Sequence, residues 1–85
     1  MAQTALPPFE NILLSQLEVG SSARVVELLT FSTIRQRLLD IGLTPGAAVA
    51  CLFKSPLGDP IAYEIRGAVM AIRSEDAAGV VVERV

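Results

Sequence analysis

The chain has 85 residues, which suits one small domain and leaves no room for an elaborate enzyme with several subsites. Hydrophobic residues make up 52% of the chain but aromatic residues only 5%, so Val, Ile, Leu and Ala must fill the core. The formal net charge is −2, and the seven cationic residues are scattered along the sequence. This charge distribution argues against binding to nucleic acid or to an anionic membrane surface.

Cysteine and histidine usage narrows the class of protein further. Cys51 is the single cysteine, so an intrachain disulfide cannot form, which is typical of a reducing compartment. No segment approaches the roughly 18 apolar residues of a membrane span. The N-terminal residues lack the basic start and long apolar centre of a signal peptide. The sequence therefore predicts a cytoplasmic protein that does not insert into a membrane.

The first predicted elements follow an N-terminal arm. Residues 1–12 contain two adjacent prolines and little periodicity, which predicts a flexible arm, and residues 13–85 predict the domain. Ser15 is a candidate cap for a single helical turn. Residues 23–29 are rich in Val and Leu and predict a strand, although their alternation is imperfect and does not indicate which face is buried.

The clearest helix is predicted in "FSTIRQRLLDIGL". Ser32 stands where an N-cap residue belongs. Ile34, Leu38 and Ile41 recur at i, i+4 and i+7, a spacing that predicts one apolar stripe along the helix. The polar residues between them predict a solvated opposite face.

Two glycine turns are predicted after this helix. Gly42 stands in the position beyond the C-cap, where glycine adopts the left-handed conformation at little cost, and Leu43 follows as the expected hydrophobic cap contact. Pro45-Gly46 matches the central pair of a type II turn, since proline presets φ and glycine accepts a positive φ. The chain is therefore expected to reverse direction here and enter a strand.

The second half of the chain predicts mainly strands. Val49, Cys51 and Phe53 alternate with smaller or outward residues, which predicts a strand with these three side chains on one face. The remaining predicted elements are a half-buried strand at 61–65, a tight turn at Arg66-Gly67, a strand around 70–72, a one-turn helix capped by Ser74, and a closing strand at 80–85. About five short strands and one inserted helix predict a mainly β fold, a small bent antiparallel barrel with few open edges.

Groups able to carry out catalysis or hold a metal are few. Histidine, the commonest general base, is absent, and the acidic residues are spread out. Glu75-Asp76 is the one adjacent acidic pair, and its place in the first turn of a helix explains it. Cys51 in an alternating strand is typical of a small core residue. We expect no catalytic residue, no cofactor and no tight metal site, while carboxylates such as Glu64 could bind a metal weakly.

The loop within "KSPLGDPIAYEIRG" raises a specific question about Leu57. Pro56 and Gly58 flank this leucine, and Asp59 precedes a proline that favours extended geometry. The Asp59 carboxylate can accept backbone N–H bonds and hold the loop. Leu57 is either folded back as a lid on the core or exposed as an ordered contact point, and the sequence leaves both alternatives open. The same ambiguity applies to Leu43, although its predicted capping role favours the buried alternative.

Four segments resemble one known family in order and spacing. They are "LSQLEVGSSARVVEL", "RQRLLDIGLTPGAAV", "SPLGDPIAYEIRG" and "MAIRSEDAAGVVV". Together they resemble the FeoA family over residues 14–84. The resemblance implies an SH3-like barrel with an inserted helix. It also implies a small cytoplasmic accessory protein of bacterial ferrous-iron transport that acts on the FeoB transporter at its cytoplasmic GTP-binding domain.

The leading hypothesis is a non-enzymatic protein-interaction module that assists or regulates FeoB. Its candidate contact residues are Leu57, Asp59, Leu43 and Arg35. The alternative hypothesis is a direct Fe²⁺ carrier or sensor in which surface carboxylates hold the metal. These carboxylates could come from one molecule or from several molecules of an oligomer. The family resemblance itself suggests transition-metal binding, which this sequence supports only weakly.

A third hypothesis is a reader of proline-rich peptides. Grooves of that kind are lined by aromatic side chains. The sequence offers few aromatic side chains to line such a groove, namely Phe31, Phe53 and Tyr63. A small barrel with exposed edges could also self-associate, so the sequence leaves a homo-oligomer open.

Overall fold

The computed structural model describes residues 11–85, which form six strands and three short helical segments. The strands are β1 (Asn11–Leu13), β2 (Ser22–Leu28), β3 (Ala48–Lys54), β4 (Ile61–Ile65), β5 (Ala68–Ile72) and β6 (Val80–Arg84). The helical segments are a 3₁₀ turn (Leu14–Gln16), α1 (Ser32–Asp40) and α2 (Ser74–Ala77). Within the described residues, no helix is long and apolar enough to cross a membrane.

All six strands belong to one antiparallel sheet in the order β1-β6-β2-β3-β4-β5. The predicted mainly β architecture with one longer helix is confirmed, with one strand more than expected. β1 and β5 stand at the two ends of this order, so each pairs with a single neighbour among the described residues. The sheet thus keeps two edges.

The additional strand is β1, which pairs with β6. Asn11 lies opposite Glu83 and Ile12 opposite Val82. The sheet therefore begins at Asn11, two residues before the expected start of the domain at residue 13. A strand of three residues is too short to show an alternating pattern in the sequence. The rest of the predicted N-terminal arm, residues 1–10, lies outside the described residues.

One hydrophobic core fills the inner side of the sheet. Its buried members are Leu14, Leu17, Ala23, Val25, Leu38, Leu43, Ala47, Val49, Cys51, Ile61, Tyr63, Ile65, Ile72, Ala77, Val80 and Val82. Tyr63 is the largest fully buried side chain, and its hydroxyl donates a hydrogen bond to the Leu14 carbonyl oxygen over 3.1 Å. That bond satisfies a polar group which would otherwise be costly to bury.

Two irregularities in the strand pairing explain where the alternation of the sequence fails. The register of β2 against β6 shifts between Val25 and Glu27, and that of β3 against β4 shifts between Cys51 and Phe53. An extra residue in one strand turns the following side chains to the other face. Val49 and Cys51 are buried as predicted, but Phe53 is 58% exposed, so its expected place on the same face is wrong.

The N-terminal half of α1 differs from its prediction. The helix starts at Ser32, which places Phe31 rather than Ser32 at the N-cap. Leu38 is buried and Ile41 is half-buried against the core, but Ile34 is 39% exposed. The predicted apolar stripe therefore packs only along its C-terminal part, because the helix meets the barrel at that end.

The C-terminal end of α1 follows its prediction closely. Gly42 adopts a φ of +109°. The Leu43 N–H donates to the Leu38 carbonyl oxygen over 3.0 Å, and the Gly42 N–H donates to the Leu39 carbonyl oxygen over 3.0 Å. These two bonds define a Schellman cap. The side chain of Leu43 is fully buried, which is the hydrophobic contact expected of this cap.

Candidate protein-interaction surface

The loop between β3 and β4 presents Leu57 to solvent. This side chain is 96% exposed, so the alternative in which it folds back as a lid on the core is wrong. The Gly58 N–H donates to the Ser55 carbonyl oxygen over 2.7 Å. The Ser55 hydroxyl in turn donates to the Pro60 carbonyl oxygen over 2.9 Å. The loop is thus closed on itself by hydrogen bonds at its base, with an apolar side chain at its tip.

Asp59 anchors this loop to α2. Its Oδ1 accepts a hydrogen bond from the backbone N–H of Ser74 over 2.7 Å, across 15 residues of sequence. The first N–H groups of a helix have no partner within the helix, so a carboxylate is a favourable acceptor there. Ser74 was expected to cap α2 with its own side chain, but the N-cap position is Arg73 and no side chain of α2 caps it. The expectation for Ser74 was wrong because Asp59 takes that role from another element.

A second contact connects α1 to α2. Arg37 Nη2 lies 3.6 Å from Asp76 Oδ2. The Arg37 side chain is 70% exposed, so this ion pair adds little stability, but it brings the helix beside α2. Ser74 and Asp76 are two residues apart. The Leu57 loop and the Arg37 side of α1 therefore meet the same short helix.

The other candidate contact residues occupy different environments. Leu43 is fully buried beneath the cap of α1, so its side chain cannot reach a partner in this conformation. Arg35 is exposed on α1. Asp59 is half-buried, and one of its oxygens is already occupied by the Ser74 N–H. Of the four residues, Leu57 and Arg35 have free side-chain surface.

Reactive groups in the described part of the chain are shielded or isolated. Burial raises the pKa of the Cys51 thiol above its ordinary value of 9.0, and the positive charge of Lys54 offsets this only in part. The pKa of Tyr63 is raised as well. Burial is the largest cause, and the electrostatic effects of Cys51 and Asp59 raise this pKa further. Between residues 11 and 85, no three His, Cys, Asp or Glu side chains lie close enough together to hold a metal ion.

A cleft of about 270 Å³ lies next to this surface, and no pattern in the sequence predicted it. Its lining residues are Arg37, Leu38, Ile41, Ala71, Ile72, Arg73 and Asp76. They come from α1 and the residue after it, from β5 and the residue after it, and from α2, so they are brought together only by the fold. The predicted helix stripe located Leu38 and Ile41, but no local pattern links them to Ile72.

Comparison with known proteins decides the family. The sequence profile of the FeoA domain matches residues 12–84, almost the whole chain. This chain belongs to the FeoA family. The FeoA domains are small accessory domains of ferrous-iron transport, and the resemblance seen in the sequence motifs is thereby confirmed.

Two relatives of known structure support the same family assignment. The FeoA protein of Chlorobium tepidum is 35% identical and superposes with a TM-score of 0.82 over 87% of this chain and 70% of its own. The FeoA of Stenotrophomonas maltophilia, a prokaryotic SH3 domain protein whose structure was determined as a zinc complex, is 29% identical, with a TM-score of 0.75 over 84% of this chain and 88% of its own. The predicted SH3-like fold is therefore confirmed.

A fusion protein is also among the relatives of this chain. The fused Fe²⁺ transport protein A and Fe²⁺ transporter FeoB of Porphyromonas gingivalis is 34% identical over 70 residues. The match covers 82% of this chain but only 8% of the fusion protein. The chain thus corresponds to a small part of that relative.

Proposed function

We propose that this FeoA domain is a non-enzymatic interaction module that binds the cytoplasmic GTP-binding domain of a FeoB-type transporter and assists or regulates ferrous-iron uptake. The observation that carries the proposal is Leu57, an apolar side chain that is 96% exposed at the tip of a hydrogen-bonded loop. Because Asp59 anchors that loop to α2, little conformational freedom would be lost on docking. Such a tip fits an apolar pocket on a partner protein.

The fused relative from Porphyromonas gingivalis supports the choice of partner. It combines an Fe²⁺ transport protein A and an Fe²⁺ transporter FeoB in one polypeptide. Fusion raises the effective concentration of two interacting modules. Because the GTP-binding domain of the proposed partner lies in the cytoplasm, we place this protein in the cytoplasm as well.

The first prediction concerns Leu57→Glu. A charge at the tip cannot enter an apolar pocket without losing its hydration, so we expect binding to the purified GTP-binding domain of FeoB from the same organism to weaken by about tenfold or more. Isothermal titration calorimetry of the wild type and the variant measures this difference.

Val19→Glu is the matched control for this prediction. Val19 is 54% exposed in the loop before β2, so the same chemical change is made away from the β3–β4 loop. We expect Val19→Glu to bind as the wild type does, with both variants retaining the circular dichroism spectrum of the folded barrel. Equal affinity of Leu57→Glu and wild type would reject the assigned surface, and absence of any wild-type binding would reject the partner.

The alternative function, a carrier or sensor that binds Fe²⁺ as its cargo, is favoured by the zinc complex of the Stenotrophomonas relative. In the described residues of this chain, no three carboxylates lie close enough together to hold a metal ion. A complete site would therefore need ligands from a second molecule. Anaerobic calorimetric titration with Fe²⁺ separates the two functions. Saturable binding near micromolar affinity would support the carrier, and its absence would support the interaction module.

A further inference from the structure

The turn between β4 and β5 determines which backbone groups of β5 point outward. Arg66 and Gly67 have φ values of +52° and +90°, the signature of a two-residue type I′ hairpin. In such a hairpin, the flanking pair Ile65 and Ala68 exchange hydrogen bonds, and hydrogen-bonded pairs then recur at every second residue. Val69 and Ala71 therefore direct their N–H and C=O groups away from β4.

This outer side of β5 is open. β5 ends the strand order of the sheet, and neither Val69 nor Ala71 has another backbone hydrogen-bond partner between residues 11 and 85. The strand's five residues, AVMAI, contain no charge and no proline. Natural edge strands usually carry such features to prevent pairing with other chains. Their absence here leaves a row of backbone donors and acceptors available to an added strand.

The cleft described above lies at this edge. Ala71 is exposed and Ile72 is buried, because neighbouring residues of a strand point to opposite faces. The cleft touches both residues and the following Arg73, so it lies at the C-terminal end of β5. Its opposite wall is the C-terminal end of α1, through Leu38 and the C-cap residue Ile41. An extended segment lying along β5 would thus reach a cleft between the strand end and α1 that has both apolar and charged walls.

Arginines lie near both ends of this edge. Arg66 and Arg73 flank the two ends of β5, and Arg37 and Arg73 line the cleft. These are three of the seven cationic residues of a chain whose net charge is −2. Asp76 offsets Arg37 in part, and the exposed Glu64 lies opposite Val69 on β4, but Arg73 forms no ion pair with any residue from 11 to 85. The end of the edge at Arg73 and the cleft therefore favours an acidic side chain of the occupant.

We propose that the open edge of β5, together with the cleft between β5 and α1, is a binding site for an extended acidic segment of another protein, which adds a strand to the sheet. Backbone hydrogen bonds to Val69 and Ala71 would supply the general affinity. The cleft and its arginines would select apolar side chains alternating with carboxylates. This site goes beyond the docking of Leu57 and does not depend on FeoB being the partner.

A second copy of this chain is a less suitable occupant. Antiparallel pairing of β5 with itself around Met70 would place Arg73 of one molecule opposite Gly67 of the other, next to the other molecule's Arg66. Like charges in adjacent cross-strand positions are destabilising. An acidic segment meets the same arginines with opposite charge.

The second prediction uses a peptide of about eight residues, acetylated and amidated, in which valine and aspartate alternate, long enough for one typical strand. Titration into the isotope-labelled full chain is followed by nuclear magnetic resonance. We expect saturable shifts of the backbone amides of Val69, Ala71 and the cleft residues of α1. A matched peptide with lysine in place of aspartate should bind about tenfold more weakly or not at all.

Two variants separate the contributions of the strand edge and of the charge. Ala71→Pro removes an outward N–H without removing a bond to β4, and proline is tolerated at edge positions. We expect it to reduce peptide binding by about tenfold or more, whereas Ala71→Ser, which keeps the N–H, changes it by about twofold at most. Arg73→Glu should weaken the aspartate peptide by about fivefold, and Lys54→Glu, the same charge change on β3, should not.

Four outcomes would overturn the proposal. They are the absence of saturable amide shifts at millimolar peptide, shifts centred on Leu57, equal affinity for the lysine and aspartate peptides, and unchanged peptide affinity in the folded Ala71→Pro and Arg73→Glu variants. Concentration-dependent dimers that Ala71→Pro dissociates would assign the edge to a second copy instead. Peptide binding at β5 without binding to the FeoB domain would reject the FeoB partner and leave this site standing.

Discussion

At the scale of single residues, Asp59 shows how one side chain can shape a recognition loop. Its carboxylate lies in the β3–β4 loop, yet its bond partner is the first N–H of α2. The sequence indicated that Asp59 would hold the loop through backbone N–H groups, but not that the N–H belongs to Ser74. Because the bond is tertiary, it fixes the position of Leu57 relative to α2 and not only the shape of the loop.

The third prediction is that Asp59→Ala destabilises the protein by about 1–2 kcal/mol, since it leaves a helix N-terminal N–H without its acceptor. Asp59→Asn retains an acceptor oxygen and should lose less. Urea unfolding measures both values. Glu18→Ala, an exposed acidic residue without a side-chain hydrogen bond among the described residues, is the control and should change stability by less than about 0.5 kcal/mol.

The Leu57 loop should respond to the same substitution. Loss of the anchor lets the loop sample other conformations, so Asp59→Ala should also weaken binding to the FeoB domain although Leu57 is unchanged. A variant that is destabilised yet binds with full affinity would show that the anchor stabilises the barrel and does not preorganise the loop.

At the scale of elements, the two ends of α1 differ: its C-terminal end is packed against the core, and its N-terminal end is exposed. The Schellman cap and the burial of Leu38 and Leu43 attach its C-terminus to the core. Its N-terminal side leaves Leu29, Phe31 and Ile34 exposed. Periodicity predicts that a helix has an apolar side, but the neighbouring elements determine how much of that side is covered.

The fourth prediction tests the C-terminal cap. Gly42→Ala should cost about 1–3 kcal/mol, because a φ of +109° is strained for any residue with a Cβ. The added Cβ would also lie 3.2 Å from Ile65 Cγ2, which is closer than ordinary contact. Thermal unfolding followed by circular dichroism measures the loss.

Gly46→Ala is the matched control for the cap. Its φ of +92° carries a similar backbone penalty, but nothing lies within 4 Å of the added Cβ. The difference between the two variants isolates the contact with Ile65. A smaller loss for Gly42→Ala than for Gly46→Ala would show that the cap is not packed against β4 as described.

At the scale of the whole molecule, the core holds two ionisable groups that must stay neutral. Cys51 and Tyr63 lie opposite each other on β3 and β4, and both are buried. Burial raises both pKa values above the ordinary 9.0 and 10.0. Above these ordinary values, the unfolded chain releases protons that the folded chain keeps, so stability falls as the pH rises.

The fifth prediction is therefore alkaline sensitivity. Stability should start to fall near pH 9, with a slope that approaches about 1.4 kcal/mol per pH unit for each group retained in its protonated form. Urea unfolding across this pH range measures the slope. The Cys51→Val, Tyr63→Phe double variant should show a flatter profile, even if its stability at neutral pH is lower, and parallel profiles would assign the effect to other groups.

The sequence by itself determined the local features of this protein. Gly42 with Leu43, Pro45-Gly46 and Arg66-Gly67 specify caps and turns through backbone conformations that few other residues accept. The half-buried strand predicted at 61–65 corresponds to β4. The motifs around the helix and the Leu57 loop also indicated the FeoA family. These signals are local, so they can be read along the chain.

Tertiary structure decided what depends on neighbours distant in sequence. Register shifts turned Phe53 outward, and pairing with β6 made a strand of residues too few to show a pattern. Packing left Leu57 exposed, although the sequence did not distinguish an exposed from a buried side chain there. The cleft beside β5 joins residues from three elements. Burial and edge position are properties of the folded arrangement, and no single segment contains them.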